Sequence, residues 1–335
     1  MGASPKAIAH DGARPHGARP LAIVAGPTAS GKSALALALA ERLGGAVINA
    51  DAMQCYAEWQ IITARPSPED EARAPHRLYG VRALDQAVDA AWWRQAALAE
   101  LERVKTGRAD LPVLCGGTGM YLGALINGIA AIPDPGMAAR TEAREMLADH
   151  GPAWLHDWLA ARDGETATKL RPSDSQRLAR AAEVLIGTGR GLAAWQAEPR
   201  ERLTGWMPKL ILLDPPRAEL REAIRRRFSA MLKAGALDEV RAVAARGLNP
   251  ALPGLRAHGV PELMAHLAGE IGLDDATERA IGATIAYTKR QATWFRHQKL
   301  TDERSTHIIH ARFDGDAQFL ERNLDFTVSF INDPS

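Results

Sequence analysis

The sequence predicts an α/β protein: a parallel sheet with a phosphate-binding loop, interrupted by an all-helical insertion. Three observations predict this. Short apolar runs alternate with helix-forming segments in the first part of the chain. The first of these runs leads directly into a glycine-rich loop that ends in Gly31-Lys32-Ser33. From about residue 138 to residue 200 the chain contains helix-forming segments only. Strands that alternate with helices imply parallel strands joined by right-handed crossovers.

The individual elements follow from local pattern. Five apolar runs predict strands: Leu21–Gly26, Ala46–Asp51, Leu111–Gly117, Lys209–Asp214 and His307–Phe313. Helical segments are predicted at 33–44, at 86–106 and from near Met120. The predicted organisation is a disordered leader over 1–19, a core formed by 20–135 and 205–320 with C-terminal helices, a helical insertion over 136–204, and a tail over 321–335.

One apolar stripe is predicted inside the insertion. Trp154, Leu155, Trp158 and Leu159 recur at helical spacing, which favours a packed core over a surface on which bases stack.

Composition excludes several classes of protein. Of the 335 residues, 46% are hydrophobic and 24% are charged, which is ordinary for a globular protein. The net charge of +1 does not by itself indicate a nucleic-acid binder, although local basic clusters occur. Two cysteines, Cys55 and Cys115, are too few for a disulfide framework or a zinc site. No apolar run reaches transmembrane length and no secretory core is present, so we expect a cytoplasmic protein without a membrane partner.

The loop after the first strand fits the P-loop pattern, G-x-x-x-x-G-K-[ST], in the required context between a strand and a helix. Its residues are Gly26, Pro27, Thr28, Ala29, Ser30, Gly31, Lys32 and Ser33. Backbone N–H groups, the positive end of the helix and the Lys32 ammonium bind phosphate, and the Ser33 hydroxyl is a candidate Mg²⁺ ligand. The sheet is therefore predicted to be P-loop NTPase-like. The loop alone does not say which phosphate it holds.

A kinase or NTPase should also have an apolar strand that ends in a Mg²⁺-binding acid. The third strand ends instead in Gly116-Gly117-Thr118-Gly119. The nearby carboxylate is Asp51, at the carboxyl end of the second strand, where open α/β sheets bind ligands. Asp51 could bind Mg²⁺, accept a proton from a nucleophile, or serve as a turn residue, and its position alone leaves these alternatives open.

Several segments together resemble one family, the bacterial type of tRNA dimethylallyltransferases (isopentenyltransferases). The matching stretches occur in the family's order and cover roughly residues 21 to 300; they are GPTASGKS (26–33), ADAMQCY (50–56), ITARP (62–66), CGGTGMYL (115–122), SDSQRLARAAEVL (173–185) and KRQATWFR (289–296).

The resemblance implies a prenyl transfer. Dimethylallyl diphosphate would occupy the P-loop, with Mg²⁺ as cofactor. The N6 amine of the adenosine that follows the anticodon, in tRNAs reading codons that begin with U, would displace diphosphate. Asp51 would act as general base, with Thr118 and Lys32 as the other catalytic residues and Arg227 as a further diphosphate contact. The protein is expected to act as a monomer.

The resemblance also implies a set of contacts to the tRNA anticodon stem-loop, whose target base must leave its stack to react. These residues are Asp51, Ala52, Met53, Gln54, Thr118, Arg140, Gln176, Arg177, Leu178, Ala179, Arg180, Arg256, Gly259, Lys289, Arg290, Gln291, Trp294 and Arg296. Without the resemblance, KRQATWFR would be interpreted as a solvated helix face with Trp294 and Phe295 in the core.

The chain departs from the family pattern at a few positions. Ala52 replaces the usual serine beside Asp51, and Ala223 replaces the first of two arginines, a contact that is then absent or comes from Arg221 or Arg226. Val260-Pro261 replaces a Tyr-containing pair, which puts the local backbone in question. Ile61 replaces a common Gly, and Arg77 interrupts a P-H-H-L segment.

Two other functions compete with this one. A P-loop small-molecule kinase would use ATP and a hydroxyl acceptor, but the acid-free turn at 116–119 and KRQATWFR argue against it. An RNA-binding protein with a vestigial loop is disfavoured by the intact Lys32 and Ser33.

Overall fold

The structure, a computed structural model, describes residues 17–106, 111–313 and 317–333. A six-stranded sheet forms its centre, with the order β3-β2-β4-β1-β5-β6 and every neighbouring pair parallel. The strands are β1 (Arg19–Ala25), β2 (Ala46–Asn49), β3 (His76–Arg77), β4 (Pro112–Gly116), β5 (Trp206–Leu213) and β6 (Thr306–Ile309). The predicted parallel α/β architecture is confirmed.

Helices connect and cover these strands. They are α1 (Lys32–Leu43), α2 (Pro68–Arg73), α3 (Ala90–Thr106), α4 (Gly119–Asn127), α5 (Gly136–Ala160), α6 (Gly164–Thr168), α7 (Ser175–Thr188), α8 (Leu192–Gln196), α9 (Arg217–Lys233), α10 (Ala236–Ala244), α11 (Val260–Leu267), α12 (Leu273–His297) and α13 (Ala317–Asn332). Helix α5 is broken at Gly151, where φ is 79°, immediately before Pro152.

Both faces of the sheet are buried, which is why β1 is a continuous apolar run and not an alternating one. Leu21, Ile23 and Ala25 pack in one cluster with residues of α3 and α4. Ala22 and Val24 point the other way and pack in a second cluster with residues of α1. The alternation of two faces along one strand therefore places a helical layer on each side of the sheet.

The chain divides into two compact units. One combines the described residues up to Ile126 with those from Leu203 onward and contains the sheet; the other is Asn127–Arg202 and is helical. The helical unit has its own core, in which Leu155, Leu159, Leu178 and Val184 are fully buried. Its boundaries differ from the expected 136–204 because the chain leaves the sheet-containing unit where α4 ends, ahead of the first residue of α5.

The structure corrects the expectation for the C-terminal tail. Helix α13 runs through most of 321–335. Thr327 and Ile331 are buried, and Leu324 and Val328 pack against the same cluster as α1, so spacing of three or four residues gives this helix an apolar face. The leader prediction also overlaps the sheet: Arg19 already pairs with Trp206 in β1. Residues 1–16 lie outside the described residues.

The apolar stripe predicted in the insertion included one residue, Trp154, whose side chain is exposed. Leu155 and Leu159 are fully buried, whereas Trp154 is 40% exposed and stacks on His150 with ring centroids 4.2 Å apart. Trp158 is partly buried, with the Arg162 guanidinium over its ring. Since residue 154 is displaced by about 100° from residue 155 around a helix, it lies at the edge of the buried face.

In the part of the chain that the structure describes, no helix is both long enough and apolar enough to cross a membrane.

Candidate active site

The P-loop connects the end of β1 to the start of α1, and its backbone requires glycine at two positions. Gly26 has φ 151°, and a Cβ there would lie 2.6 Å from the carbonyl oxygen of Leu213. Gly31 has φ 90°, and a Cβ there would overlap the carbonyl of Phe313. Ala29 adopts φ 66°, a left-handed conformation that is uncommon outside glycine. Close approach of neighbouring backbone therefore fixes the shape of the loop.

Two polar side chains of this loop have little to bind within the protein. Lys32 is buried, and within the described part of the chain its ammonium makes one hydrogen bond, a long one of 3.4 Å to the carbonyl oxygen of Pro27. Burial lowers the pKa of Lys32, and the negative charge of Asp51 partly opposes that shift. Among the described residues, the buried hydroxyl of Ser30 has no hydrogen-bond partner. A buried cation beside an unsatisfied donor suits an anionic ligand.

Asp51 follows β2 and is held by its neighbours. The buried Asn49 accepts a hydrogen bond from the Asp51 N–H at 2.8 Å and donates to the Asp51 carbonyl at 2.9 Å. The Asp51 Oδ1 accepts from the N–H of Met53 at 3.0 Å. The charge of Asp51 opposes the lowering of the pKa of both Lys32 and Arg227. The structure therefore brings Asp51, Lys32 and Arg227 into one electrostatic environment.

Thr118 lies directly beside this segment. Its Oγ1 accepts a hydrogen bond from the N–H of Ala52 at 3.1 Å, and its own N–H donates to the carbonyl oxygen of Ala50 at 3.1 Å. Gly116 allows this contact, because a Cβ there would overlap the backbone of Ala50. The turn after β4 and the turn after β2 are thus joined, and Thr118 and Asp51 share one edge of the sheet.

Arg227 of α9 is half-buried and donates to the carbonyl oxygen of Thr63 at 3.1 Å. Burial lowers its pKa, with the charge of Asp51 opposing. Ala223 is buried in the adjacent core, while Arg221 and Arg226 are exposed. Arg226 pairs with Glu222 at 3.3 Å.

Gln291 has a structural role that the sequence did not predict. Its side chain is 4% exposed. Its Oε1 accepts from the Thr28 N–H at 2.9 Å and its Nε2 donates to the Gly117 carbonyl at 3.1 Å. Gln291 thus joins the P-loop to the turn after β4. It is buried because residues 284, 288, 291 and 295 form the inner face of α12.

Trp294 is half-buried on the same helix and packs on α4. A Cβ at Gly119 would overlap its ring, and one at Gly123 would lie 3.5 Å from it. The neighbouring Lys289, Arg290 and Arg296 are exposed. The predicted basic segment therefore combines two packing residues with three solvent-facing cations.

Gln54 and Gly259 also have structural roles. The Gln54 Nε2 donates to the carbonyl oxygens of Thr63 and Ala64 at 2.9 and 3.0 Å. Gly259 has φ 95°, and a Cβ there would lie 2.8 Å from the ring of Phe228. Pro261 sits in the first turn of α11, where a missing N–H costs nothing, so this departure leaves the helix intact.

In the helical unit, the predicted contacts of α7 divide by exposure. Gln176, Arg177 and Arg180 are exposed, and Ala179 is half-buried. Leu178 is fully buried in the core of the unit, because it occupies the inward face of α7. Two further contacts were expected elsewhere: Arg140 is half-buried and pairs with Asp134 at 2.7 Å, and Arg256 is exposed in the sheet-containing unit.

Sequence reasoning missed Tyr287 and His258. Their rings lie 4.5 Å apart. Burial, and then the charge of Asp51, raises the pKa of Tyr287 to about 12. Burial lowers the pKa of His258. Tyr287 lies one helical turn before Gln291, and that spacing was the available signal.

The Ser33 hydroxyl is a candidate ligand for a divalent cation, without a cluster of acidic ligands beside it among the described residues. The Ser33 side chain is exposed at the mouth of the loop. Among the described residues, no group of three or more His, Cys, Asp or Glu side chains is placed to hold a metal ion. This fits Mg²⁺, which keeps several waters and is commonly held by few protein oxygens together with substrate phosphates.

Comparison with known proteins now decides the family. The model of the IPP transferase family matches residues 54–298. The chain belongs to the IPP transferase family. A tRNA dimethylallyltransferase of Acidiphilium cryptum is 72% identical over 315 residues, covering 94% of this chain and 95% of the relative. One from Granulibacter bethesdensis is 55% identical over 309 residues, covering 92% and 96%.

Solved structures agree with this IPP transferase assignment. A tRNA isopentenylpyrophosphate transferase from Bacillus halodurans has a TM-score of 0.66 at 27% identity, covering 93% of this chain and 97% of that one. A eukaryotic dimethylallyltransferase acting on tRNA matches in fold, with a TM-score of 0.76 at 23% identity over 93% of this chain and 79% of that one.

Proposed function

We propose that this enzyme transfers a dimethylallyl group from dimethylallyl diphosphate to the N6 amine of the adenosine that follows the anticodon in tRNA, and releases diphosphate. The observation that supports it most is the shared position of a phosphate loop with an unneutralised Lys32 and a carboxylate, Asp51, at one edge of the sheet. Relatives named tRNA dimethylallyltransferase match nearly the whole chain.

The phosphate loop binds and polarises the donor. Backbone N–H groups of the loop, Lys32 and Arg227 hold the diphosphate and stabilise the charge that it gains as the allylic C–O bond breaks. Mg²⁺, when bound, would neutralise part of that charge, with the Ser33 hydroxyl as its protein ligand and water and diphosphate oxygens as the rest. A ligand with diphosphate charge also offsets the cost of burying the Lys32 ammonium, which makes no ion pair within 4.0 Å among the described residues.

Asp51 acts on the acceptor. The adenine N6 forms a bond to the allylic carbon, the electron pair of the broken C–O bond leaves with diphosphate, and one N6 proton passes to the Asp51 carboxylate. The Thr118 hydroxyl contacts the adenine. The target adenosine must first leave its stack, and the exposed Arg177, Arg180 and Lys289 would bind the RNA phosphates. We also propose that the enzyme acts as a monomer in the cytoplasm.

The experiment incubates the protein, Mg²⁺ and an anticodon stem-loop RNA with either dimethylallyl diphosphate or ATP, followed by nucleoside analysis. We expect prenylated adenosine with the first donor and no phosphorylated product with the second. Transfer of phosphate from ATP to an acceptor, with no prenyl transfer, would establish the kinase alternative instead.

Asp51→Asn tests the base. We expect the transfer rate to fall at least about 100-fold, because general-base contributions are of that order, while RNA affinity stays within about threefold. Asp85→Asn is the matched control, an exposed acid elsewhere in the same unit, and should keep full activity. A loss smaller than tenfold in Asp51→Asn would remove Asp51 from this role.

A further inference from the structure

The carbonyl oxygen of Thr63 holds two side chains of the candidate site. The Arg227 Nη2 donates to it at 3.1 Å, and the Gln54 Nε2 donates to it at 2.9 Å. Among the described residues, this is the only hydrogen bond of the Arg227 guanidinium, so its remaining N–H groups can bind a ligand. The direction in which Arg227 points therefore depends on where the Thr63 carbonyl lies.

This carbonyl belongs to a short segment, residues 60–64, that lies outside the helices and strands. Within it the Ala64 N–H donates to the Ile61 carbonyl oxygen at 2.9 Å, and Ala64 adopts a left-handed φ of 48°. That bond shapes a tight turn. By itself it does not fix the place of the segment relative to α9, the helix that carries Arg227.

Glu239 of α10 joins the segment to the helices. Its Oε1 accepts from the N–H groups of Gln60 and Ile61 at 2.7 and 2.9 Å, and its Oε2 accepts from the N–H of Ile62 at 2.8 Å. Three successive N–H groups around one anion form a nest, and bonds to an ionised acceptor are stronger than bonds to a neutral one. Glu239 is half-buried, and α10 packs against α9. The carboxylate thus ties residues 60–64 to the pair of helices that includes the one carrying Arg227.

The nest requires a carboxylate and not an amide. Its three N–H groups are all donors, and a carboxylate accepts on both oxygens. Glu239→Gln would place an NH₂ group against the N–H of Ile62 or, with the amide turned over, against those of Gln60 and Ile61. In either orientation a donor faces a donor, so the segment has to move away from α10.

We propose that Glu239 is a positioning residue: by holding residues 60–64 in place, it sets the Thr63 carbonyl that aims the Arg227 guanidinium at the diphosphate. The inference rests on the proposed function of the site, in which Arg227 contacts the donor. Glu239 acts through the backbone, because its two oxygens already accept the three N–H groups of the nest.

The experiment is a double-substitution cycle in which the binding of inorganic diphosphate with Mg²⁺ is measured by isothermal titration calorimetry. The four proteins are the unsubstituted protein, Glu239→Gln, Arg227→Met and the combination of the two. Arg227→Met keeps an apolar stem and removes the guanidinium. Urea denaturation of each protein separates loss of folding from loss of binding. Asp238→Asn is the matched control, since Asp238 is a neighbouring exposed acid of α10 that pairs with Arg241.

We expect Glu239→Gln to weaken diphosphate binding about tenfold when Arg227 is present, which is the size of a hydrogen bond to a charged group. In the Arg227→Met background the same substitution should change the affinity less than about twofold, because the group that it displaces is gone. Asp238→Asn should bind diphosphate like the unsubstituted protein. Equal losses in both backgrounds, or no loss in either, would overturn the inference, since a purely structural role of Glu239 does not depend on Arg227.

Glu239→Asp keeps the test decisive if Glu239→Gln unfolds. It retains the negative charge but is one carbon shorter, which draws the carboxylate back from the nest. The same dependence on Arg227 is expected in the corresponding cycle, and its absence there would count equally against the role of Glu239.

Failure of the proposed function looks different. In that case the unsubstituted protein would not prenylate the adenosine of a stem-loop RNA, whatever the cycle shows for diphosphate. A protein that prenylates adenosine but shows equal losses in both backgrounds retains the proposed function and loses only the role of Glu239.

Discussion

Gln291 illustrates how a single buried amide organises this site. It accepts from the P-loop at Thr28 and donates to the turn after β4 at Gly117, two segments that are far apart in sequence. The loop therefore has one of its N–H groups occupied by the protein and is held at a fixed distance from Thr118. Rigid placement of this kind is what a reaction between two bound substrates requires.

Replacing Gln291 by methionine tests this at the residue scale. Methionine fills a similar volume but cannot hydrogen-bond well, so the Thr28 N–H and the Gly117 carbonyl lose their partner. We expect the free energy of unfolding to fall by about 1–3 kcal/mol, the usual cost of unsatisfied buried groups. We also expect the affinity for dimethylallyl diphosphate to weaken. Urea denaturation and titration with dimethylallyl diphosphate measure the two effects. Thr293→Ala, an exposed change on the same helix, should alter neither.

The residue scale also shows where sequence reasoning stopped. The P-loop residues, Asp51 and Thr118 carry local signatures and do lie at one edge of the sheet. The burial of Gln291 and Leu178 was not predicted, because their motifs were interpreted as continuous surfaces, whereas every amphipathic helix has an inward face. His258 was missed because it meets Tyr287 only through tertiary packing, which no local spacing encodes. For Tyr287 the only signal was its position one helical turn before Gln291.

At the scale of elements, α4 and α12 are matched through small residues. The Trp294 ring lies on the Gly119 end of α4, where a Cβ would overlap it, and only touches the region of Gly123. In helix α4, therefore, glycine is required at position 119 because the Trp294 ring lies too close for a Cβ, whereas position 123 has room for one. This difference could not be predicted from the sequence: Gly119 lies in CGGTGMYL and Gly123 directly follows it, but neither position reveals which glycine the Trp294 ring approaches.

A pair of alanine substitutions separates the two glycines. Gly119→Ala pushes a methyl group into the Trp294 ring, and we expect a loss of about 1–3 kcal/mol in unfolding free energy, as for other overpacked cores. Gly123→Ala adds a methyl group at ordinary contact distance, and its better helix propensity should leave stability unchanged or raise it by up to about 1 kcal/mol. Urea denaturation of both proteins is the measurement. Equal stability of the two variants would contradict the packing argument.

Strands and helices could be predicted from the sequence where their buried residues form a clear pattern. The strands were recognisable because both faces of the sheet are covered, which leaves continuous apolar runs. Helix α13 was missed because its apolar positions are separated by charged and polar residues in a short C-terminal stretch, and its partner α1 is distant in sequence. Trp154 was misplaced because hydrophobicity alone does not fix which side of a stripe reaches solvent.

At the scale of the whole molecule, the chain has two independently packed units with different surfaces. The sheet-containing unit provides the phosphate loop, Asp51 and Thr118. The helical unit provides α7, whose outer face carries Arg177 and Arg180. Arg177 pairs with Asp174 at 2.9 Å and Arg180 pairs with Glu183. Both guanidinium groups lie in solvent, so each could exchange its acid for an RNA phosphate.

The salt dependence of RNA binding tests whether the helical unit contributes in this way. Each phosphate contact adds about 0.7–0.9 to the slope of log affinity against log salt, so the double variant Arg177→Ala/Arg180→Ala should lower the slope by about 1.5. Binding of a labelled anticodon stem-loop over a series of salt concentrations gives that slope. Arg225→Ala/Arg241→Ala is the matched control: it removes two exposed, acid-paired arginines of the sheet-containing unit and should leave the slope unchanged. A slope that stays the same in both double variants would exclude α7 from the RNA interface, because fewer cations at a polyanion must release fewer counterions.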